Sequence, residues 1–297
     1  MRKVNTEERQ LWEEKEPNWP NHTFSRFVEA GGIRWHVQQA GNGPTLLLIH
    51  GTGASTHSWR DLIPILARRY TVVAPDLPGH AFTDSVTGAQ SSIRGMCDLL
   101  TALLQELRFT PEYCVGHSAG AVILCQLALM RRIEPRVIVS INGAFLPLRG
   151  FSGMAFSLIA KLFVSNSFVP RLIARRASDS ARVERVLART GSRIDAEGLG
   201  LYTRLVREPR HLTGTLRMLT NWNLYQFERE LPRLRTPLVL IVAENDRAVS
   251  PQQASTVRQR VANASIVLLP SLGHLAHEEA PAMLAAQINQ ICVSHHP

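Results

Sequence analysis

The stretch Gly116-His117-Ser118-Ala119-Gly120 decides the fold of this chain, because it stands between an apolar run at 113–115 and an apolar, helix-like segment at 121–130. A serine between two glycines at a sharp strand-to-helix turn is held in a strained conformation with its hydroxyl exposed. The pattern therefore predicts that Ser118 is a nucleophile. The alternative is a glycine-rich turn in which the serine only caps a helix.

Short apolar runs that alternate with helical patterns surround this motif and predict an α/β fold with a mostly parallel sheet. The runs are rich in β-branched residues and are bounded by Gly, Pro, Asp or Asn; they lie at 45–50, 70–75, 112–116, 137–142, 237–243 and 265–269. Two further strands, at 25–29 and 33–39, flank Ala30-Gly31-Gly32 and predict an antiparallel hairpin at the sheet edge.

The alternation of strand and helix stops at 144–231, where helical patterns such as those at 155–163 and 181–189 have no strand between them. We therefore predict a doubly wound, mostly parallel sheet of eight strands, with helices on both faces and a helical lid inserted after strand 6. The predicted parts are an N-terminal extension at 1–24, a core at 25–143 and 232–297, and an arginine-rich lid at 144–231. The segment 144–231 is called the insertion below.

The length and composition of the chain limit the kinds of protein that it can be. The 297 residues are 45% hydrophobic, which is enough for one large domain or for a domain that carries an insertion. The sequence contains no run of about 18 apolar residues, and the Glu-rich segment at 1–17 lacks the apolar centre of a signal peptide. We expect a cytoplasmic protein.

The cysteines and histidines give no metal signature. The four cysteines are widely spaced without a CxxC pair, which predicts buried thiols rather than metal ligands or disulfides. His274 and His277 are three residues apart without companions, which is too little for a metal site. We therefore expect neither a metal nor another cofactor.

The net charge of +9 comes from one segment of the chain. Residues 149–235 hold sixteen Lys and Arg against seven Asp and Glu, whereas the remaining residues are balanced. Such a surface suits an anionic ligand, an acidic protein or an anionic membrane surface, and the alternative is a solvated arginine-rich face. No recognition motif accompanies the charge, so nucleic acid is not an expected partner.

A serine nucleophile needs a base and an acid that orients the base, and later strands supply both. Asp246 follows the strand at 237–243, and His274 follows the last strand, so both lie at the sheet edge where Ser118 is expected. The chain order Ser, Asp, His is the order of α/β-hydrolase triads. Glu244 is the competing acid, and His277 is the competing base.

The oxyanion of acyl transfer needs two backbone N–H donors. One donor would be Ala119, directly after the nucleophile, and we assign the second to Thr52 in the loop after the strand at 45–50. The sequence HGTGAS at 50–55 lacks the lysine of a phosphate-binding loop.

Other residues near the predicted site have weaker signals. Phe145 and Trp222, beside and within the insertion, are candidates for an apolar substrate pocket, with packing inside the lid as the alternative. The segment DLPGH at 76–80 is interpreted as a structural turn, and we assign His80 no catalytic role.

Together, HGTGAS at 50–55, DLPGH at 76–80, GHSAG at 116–120, END at 244–246 and GHLAHEEAP at 273–281 resemble the α/β-hydrolase superfamily over about residues 25–293. More narrowly, the segments WPN at 19–21, SRFVEAGG at 25–32, HGTGASTHSWRDL at 50–62 and ENDRAV at 244–249 resemble the magnesium-chelatase accessory proteins of bacteriochlorophyll biosynthesis. Ala81 departs from the glycine that often follows PGH in the superfamily.

The resemblance implies a place in tetrapyrrole metabolism for photosynthesis, near the insertion of magnesium into protoporphyrin IX. The expected function is hydrolysis of an ester or related acyl bond by the triad. The alternatives are a non-catalytic accessory that binds porphyrin or stabilises chelatase, and a catabolic esterase or C–C hydrolase. The resemblance makes a porphyrin and the chelatase subunits candidate partners, and it leaves open peripheral contact with the photosynthetic membrane.

Overall fold

The computed structural model describes residues 16–147 and 179–296. Eight strands form one sheet in the order β1-β2-β4-β3-β5-β6-β7-β8. The strands are β1 (Ser25–Ala30), β2 (Ile33–Ala40), β3 (Thr45–Ile49), β4 (Thr71–Pro75), β5 (Tyr113–His117), β6 (Val137–Ile141), β7 (Leu238–Ala243) and β8 (Ala264–Leu269). The eight strands predicted from the sequence are thus confirmed.

Only β2 runs against the rest of this sheet. It pairs antiparallel with β1 and with β4, so the predicted hairpin at the sheet edge is present. The pairs from β4 through β3 and β5 to β8 are all parallel. Parallel strands are covered on both faces, and every residue of β5, β6 and β7 is buried.

Helices cover the two faces of the sheet and form a separate apolar cluster on each. One cluster includes α2 (Ile93–Glu106) and α3 (Ala119–Leu129), and the other includes α1 (Leu62–Leu66) and α10 (Pro281–Ser294). The other helices of the core are α8 (Gln252–Arg260) and α9 (Ala276–Glu279). The predicted buried thiols are confirmed, since all four cysteines are free and buried.

The structure corrects one feature of the last helical segment. The apolar pattern predicts a continuous helix from 276 to 292, but α9 ends at Glu279 and α10 begins at Pro281. Ala280 has extended φ of −141°, because a residue that precedes proline is sterically disfavoured in the helical region. The break separates α10 from the short helix α9, which begins at Ala276, shortly after His274 in the chain.

The described part of the insertion after residue 178 contains four α-helices and no strand, as predicted for that part. They are α4 (Ser180–Arg189), α5 (Ala196–Arg207), α6 (Pro209–Asn221) and α7 (Leu224–Glu230). The predicted helical pattern at 155–163 lies outside the described residues. Among the helices that the structure describes, none is both long enough and apolar enough to span a membrane.

Candidate active site

Ser118 stands at a strained turn between β5 and α3. Its backbone has φ of 51° and ψ of −115°, a conformation that residues other than glycine rarely adopt. The turn is held because the Ser118 N–H donates to the carbonyl of Ile141, 3.0 Å away. Ser118 directly follows the last residue of β5 and is only partly buried, so it lies at the carboxyl edge of the sheet and is accessible to solvent.

The two motif glycines are required by close backbone contacts on either side of Ser118. A Cβ on Gly120 would lie 2.1 Å from the carbonyl oxygen of Ile49, and one on Gly116 would lie 2.5 Å from the nitrogen of Ala121. Both distances are far below van der Waals contact. The motif therefore places α3 tightly against β3 and β5, which is the packing that a nucleophile turn needs.

Asp246 and His274 are brought together from the ends of β7 and β8. Nδ1 of His274 lies 2.7 Å from Oδ2 of Asp246, and the carboxylate is buried. The other carboxylate oxygen, Oδ1, accepts the N–H groups of Ala248 and Val249 at 2.8 Å each. The carboxylate is thus fixed by three hydrogen bonds, and the ring keeps Nε2 as the nitrogen that can take up a proton.

The carbonyl of His274 is fixed by two side chains that the sequence did not single out. Nε2 of His117 donates to it at 3.0 Å, and Nδ2 of Asn142 donates to it at 2.9 Å. His117 is the last residue of β5 and precedes Ser118. Its hydrogen bond therefore joins β5 to the loop at 270–275 that carries His274, called the base loop below. In the described part of the chain, no hydrogen bond joins Oγ of Ser118 to His274.

The competing candidates occupy different positions. Glu244 is exposed, and Asp246 rather than Glu244 pairs with His274. His277 is buried, and its Nε2 lies 2.8 Å from Oγ of Ser58. Burial lowers the pKa of His277 to about 3, with further lowering from His274 and Arg60.

The loop after β3 lies directly against the nucleophile. A Cβ on Gly51 would lie 3.1 Å from Cβ of Ser118 and 2.8 Å from Nδ1 of His117, so only glycine fits there without displacement. Within residues 16–147 and 179–296, the N–H groups of Thr52 and Ala119 donate no hydrogen bond to another described residue. Among the described residues, these two N–H groups therefore have no acceptor, as the predicted oxyanion donors require.

The DLPGH turn behind this loop is a structural support, as its sequence indicates. Oδ1 of Asp76 accepts the Thr56 N–H at 2.7 Å, and Oδ2 lies 2.7 Å from Nδ1 of His36. Burial by itself raises the pKa of Asp76, but the charge and hydrogen bond of His36 outweigh it and lower the pKa to about 2. His80 is fully buried, and burial lowers its pKa well below the usual range.

Helix α6 of the insertion contacts both of these loops. Nε2 of His211 lies 3.1 Å from the carbonyl oxygen of Gly53, and Nδ1 accepts the N–H of Ala81 at 3.0 Å. Gly214 approaches Gly79 so closely that a Cβ on Gly214 would lie 2.0 Å from its carbonyl oxygen. The insertion therefore packs onto the carboxyl edge of the sheet at residues 50–55 after β3, called the oxyanion loop below because they include the predicted donor Thr52.

The two predicted pocket residues belong mainly to the interior. Phe145 is buried in one cluster with Met218 and Phe227, and its ring lies 6.1 Å from that of Phe227. Trp222 is partly buried against the same cluster. A cavity of about 20 Å³ is lined by Phe145 and Asp246, which is too small for a substrate.

A much larger groove lies elsewhere on the molecule. Its volume is about 1130 Å³, and it is lined by residues such as Glu134, Thr236 and Ala262, which precede β6, β7 and β8. It is therefore at the amino edge of the strands, opposite the edge that carries Ser118. Within the described ranges, no group of three or more His, Cys, Asp or Glu side chains is arranged to hold a metal ion.

Comparison with known proteins agrees with the fold described above. The family described as alpha/beta hydrolase fold matches residues 44–281. The magnesium-chelatase 30 kDa subunit of Rhodobacter capsulatus is 38% identical over 273 residues, which cover 91% of this chain and 95% of that protein.

More distant relatives share the fold over most of their length. The pyrrolizixenacetamide deacetylase of Xenorhabdus hominickii is 27% identical over 259 residues, covering 81% of this chain and 88% of that protein. The crystal structure of an alpha/beta hydrolase fold protein from Burkholderia ambifaria has a TM-score of 0.76 at 22% identity, covering 90% of this chain and 97% of that one. At that identity the structural likeness speaks for the fold alone.

Proposed function

Because this chain belongs to the α/β-hydrolase fold family, together with the magnesium-chelatase 30 kDa subunit of Rhodobacter capsulatus, we propose that it is a serine hydrolase that acts beside magnesium chelatase. The biological setting is bacteriochlorophyll biosynthesis, and the bond cleaved is an ester or a related acyl bond. The observation that carries the catalytic proposal is the 2.7 Å contact between His274 and Asp246 at the sheet edge that holds Ser118.

The chemistry assigns one role to each residue. Nε2 of His274 takes the proton of Ser118 as Oγ attacks the acyl carbon, and Asp246 holds the ring through Nδ1 and stabilises the imidazolium. The N–H groups of Thr52 and Ala119 bind the oxyanion of the tetrahedral intermediate. The imidazolium then protonates the leaving group, and His274 activates the water that hydrolyses the acyl-enzyme.

The Ser118–His274 hydrogen bond is the contact that this mechanism still requires. Catalytic hydrogen bonds are commonly long or misaligned without substrate and tighten when substrate binds. The backbone of the turn and the ring of His274 are each fixed by hydrogen bonds, so the Ser118 hydroxyl is the group that must rotate to make this contact.

A second candidate function is a non-catalytic accessory role that presents a porphyrin or stabilises chelatase subunits. Two observations favour it: the relative named above is a chelatase subunit, and helix α4 exposes three arginines on one face. Arg182, Arg185 and Arg189 are spaced by three and four residues, which aligns them along the helix. A porphyrin is an apolar disc with two propionates, and guanidinium groups pair well with carboxylates.

The two functions are separated by Ser118→Ala in one pair of assays. A fluorophosphonate is expected to label the wild type and not the variant, and each protein is then added to magnesium chelatase subunits with protoporphyrin IX. Loss of both labelling and support of magnesium insertion in a folded variant supports catalysis. Loss of labelling with full support contradicts catalysis as the biological role, and an unlabelled wild type contradicts the triad itself.

Porphyrin binding has its own test. Protoporphyrin fluorescence is expected to change on titration with the wild type and to remain unchanged with the triple variant Arg182→Gln, Arg185→Gln, Arg189→Gln. Equal binding by both proteins contradicts a role for this face. Co-sedimentation with phosphatidylglycerol vesicles, with the same pair of proteins, tests whether the arginines contact an anionic membrane instead.

A further inference from the structure

We propose that the insertion positions the catalytic acid and base directly, through the loop Thr190–Arg193 between α4 and α5. This loop, called the wedge below, lies between the segment that carries Asp246 and the segment that carries His274. Gly191 and Ser192 are the positioning residues. The proposal rests on the proposed function, because it concerns the same acid–base pair.

One side of the wedge contacts the loop at 244–251 that carries Asp246 and is called the acid loop below. The N–H of Arg247 donates to the carbonyl of Thr190 at 3.0 Å, directly beside Asp246. Gly191 has φ of +85°, and a Cβ there would lie 1.9 Å from the carbonyl oxygen of Asn245. The backbone at 190–191 is therefore in van der Waals contact with the residues on both sides of Asp246.

The other side of the wedge lies on the base loop. Oγ of the buried Ser192 accepts the N–H of Leu275 at 2.8 Å, and this is the residue that follows His274. A Cβ on Gly273 would lie 2.4 Å from the carbonyl carbon and oxygen of Gly191. The loop thus contacts the residue before His274 and the residue after it.

A carboxylate joins the wedge to the base loop. Oε1 of Glu279 accepts the N–H of Gly273 at 2.9 Å, and Oε2 accepts the N–H of Arg193 at 3.2 Å. The two loops therefore share one anionic acceptor, and neither can shift by an ångström without breaking a charge-assisted hydrogen bond.

The sheet holds the acid and base from the opposite side. Asn142 donates to the carbonyls of Gly273 and His274, and its Oδ1 accepts the N–H of Ala243 at 2.8 Å. The Asp246–His274 pair is thus clamped between Asn142 at the end of β6 and the insertion loop. Removal of the contacts from the insertion loop leaves the pair supported on the side of the sheet but not on the side of the insertion.

The size of the effect follows from Gly191. Because Cβ atoms do not approach other heavy atoms within 3.0 Å, Gly191→Ala displaces the wedge or the acid loop by about 1 Å. A misplacement of about 1 Å lowers turnover by about 100-fold. Ser192→Ala removes the two hydrogen bonds that this hydroxyl accepts, from the N–H of Leu275 and from Oγ1 of Thr190, without adding bulk. We therefore expect turnover to fall by about 10-fold, and Ser192→Thr restores the hydroxyl.

Matched controls separate positioning from general loss of stability. Gly32 has φ of +79°, and a Cβ there would meet no heavy atom within 4 Å, so Gly32→Ala carries the same backbone strain without the contact. Ser91 is a buried serine with two hydrogen bonds, to Gly88 and from Asn221, outside the candidate site. Ser91→Ala therefore matches Ser192→Ala.

The experiment measures kcat and KM for p-nitrophenyl acetate, below the unfolding temperature of every variant. We expect kcat to fall in Gly191→Ala and Ser192→Ala with KM little changed, and both controls to stay within about 2-fold of the wild type. If Gly191→Ala does not fold, the kcat values of Ser192→Ala and of Ser192→Thr, which restores the hydroxyl, test the proposal. Equal kcat for Ser192→Ala and Ser91→Ala overturns the proposal.

A second measurement keeps the proposal testable even if the protein is not a hydrolase. The ring N–H proton in a short His–Asp hydrogen bond gives a strongly downfield NMR signal, and the described residues include two such bonds, His274–Asp246 and His36–Asp76, each 2.7 Å long. Gly191→Ala is expected to shift or broaden the His274 signal alone, with assignment by His274→Gln. An unchanged His274 signal overturns the positioning role, whereas an unlabelled, inactive wild type overturns only the proposed hydrolysis.

Discussion

Replacement of His211 is expected to make the protein less sensitive to acid. In the described structure this ring is held as the neutral tautomer, because Nε2–H donates to Gly53 and Nδ1 accepts the N–H of Ala81. A proton on Nδ1 would face that N–H and break the hydrogen bond. Burial, more than any other cause, lowers the pKa of His211 to about 4.

The sign and size follow from this pKa. The folded value of about 4 lies below the value of about 6.5 for an unfolded histidine, so the unfolded chain binds the proton first as the pH falls. The contribution of neutral His211 to the free energy of unfolding is therefore fully present above about pH 6.5 and is lost as the pH falls from about 6.5 to about 4. Between pH 7.5 and pH 5.5, His211 accounts for a loss of about 1.4 kcal/mol.

The assay is urea unfolding of the wild type, His211→Asn and His211→Leu at both pH values. The two replacements differ in packing and in stability at pH 7.5, yet both remove the titrating group. We expect each to reduce the pH-dependent loss by about 1.4 kcal/mol. A loss equal to that of the wild type in both variants would refute the reasoning.

The same sign applies to other buried histidines, so the wild type is expected to lose several times as much stability as His211 alone explains. Burial is the largest cause that lowers the pKa of each of these groups: His50, His57, His80, His117 and His277. Since the net stability of a domain is only about 5–15 kcal/mol, we expect the free energy of unfolding of the wild type to fall steeply as the pH is lowered below about 6.5.

Two further predictions concern stability. Ala81 has φ of +41°, so Ala81→Gly is expected to raise the free energy of unfolding by about 1 kcal/mol in urea titration, and unchanged or lower stability would contradict that strain. Arg60 and Glu278 form a buried pair at 2.8 Å, so Arg60→Met leaves a buried carboxylate unpaired and is expected to cost about 3–5 kcal/mol. The double variant with Glu278→Leu should cost less than Arg60→Met alone, and a strictly additive result would show that the pair is not coupled.

Most of the sheet and the placement of three candidate residues follow from the sequence. Parallel strands are continuous apolar runs bounded by Gly, Pro and polar residues, so their ends are well marked. Asp246 and His274 each follow such a run, and the carboxyl ends of parallel strands meet at one edge. The chain order then predicted the contact that the structure contains.

The supports of the site could not be predicted because they depend on contacts between distant segments. Asn142 follows a predicted strand and belongs to no motif in the sequence. In the structure its side-chain amide joins the end of β7 to the base loop. Ser192 lies in a polar loop with no motif, 83 residues away from the residue that donates to it. The one local signal was Gly191 before Ser192, since glycine often marks a left-handed turn or a close approach.

The insertion contacts three of the loops at the candidate site. His211 contacts the oxyanion loop at Gly53, the loop Thr190–Arg193 contacts the acid and base loops, and Tyr202 donates to Glu278 behind His274 at 2.7 Å. Anything that shifts the insertion therefore changes these loops together, because packed interiors transmit small displacements. A ligand on the arginine face of α4 and a substrate at Ser118 would then alter each other's affinity by the same factor. The proposed hydrolase site and the proposed accessory role beside a chelatase would then be coupled through the insertion.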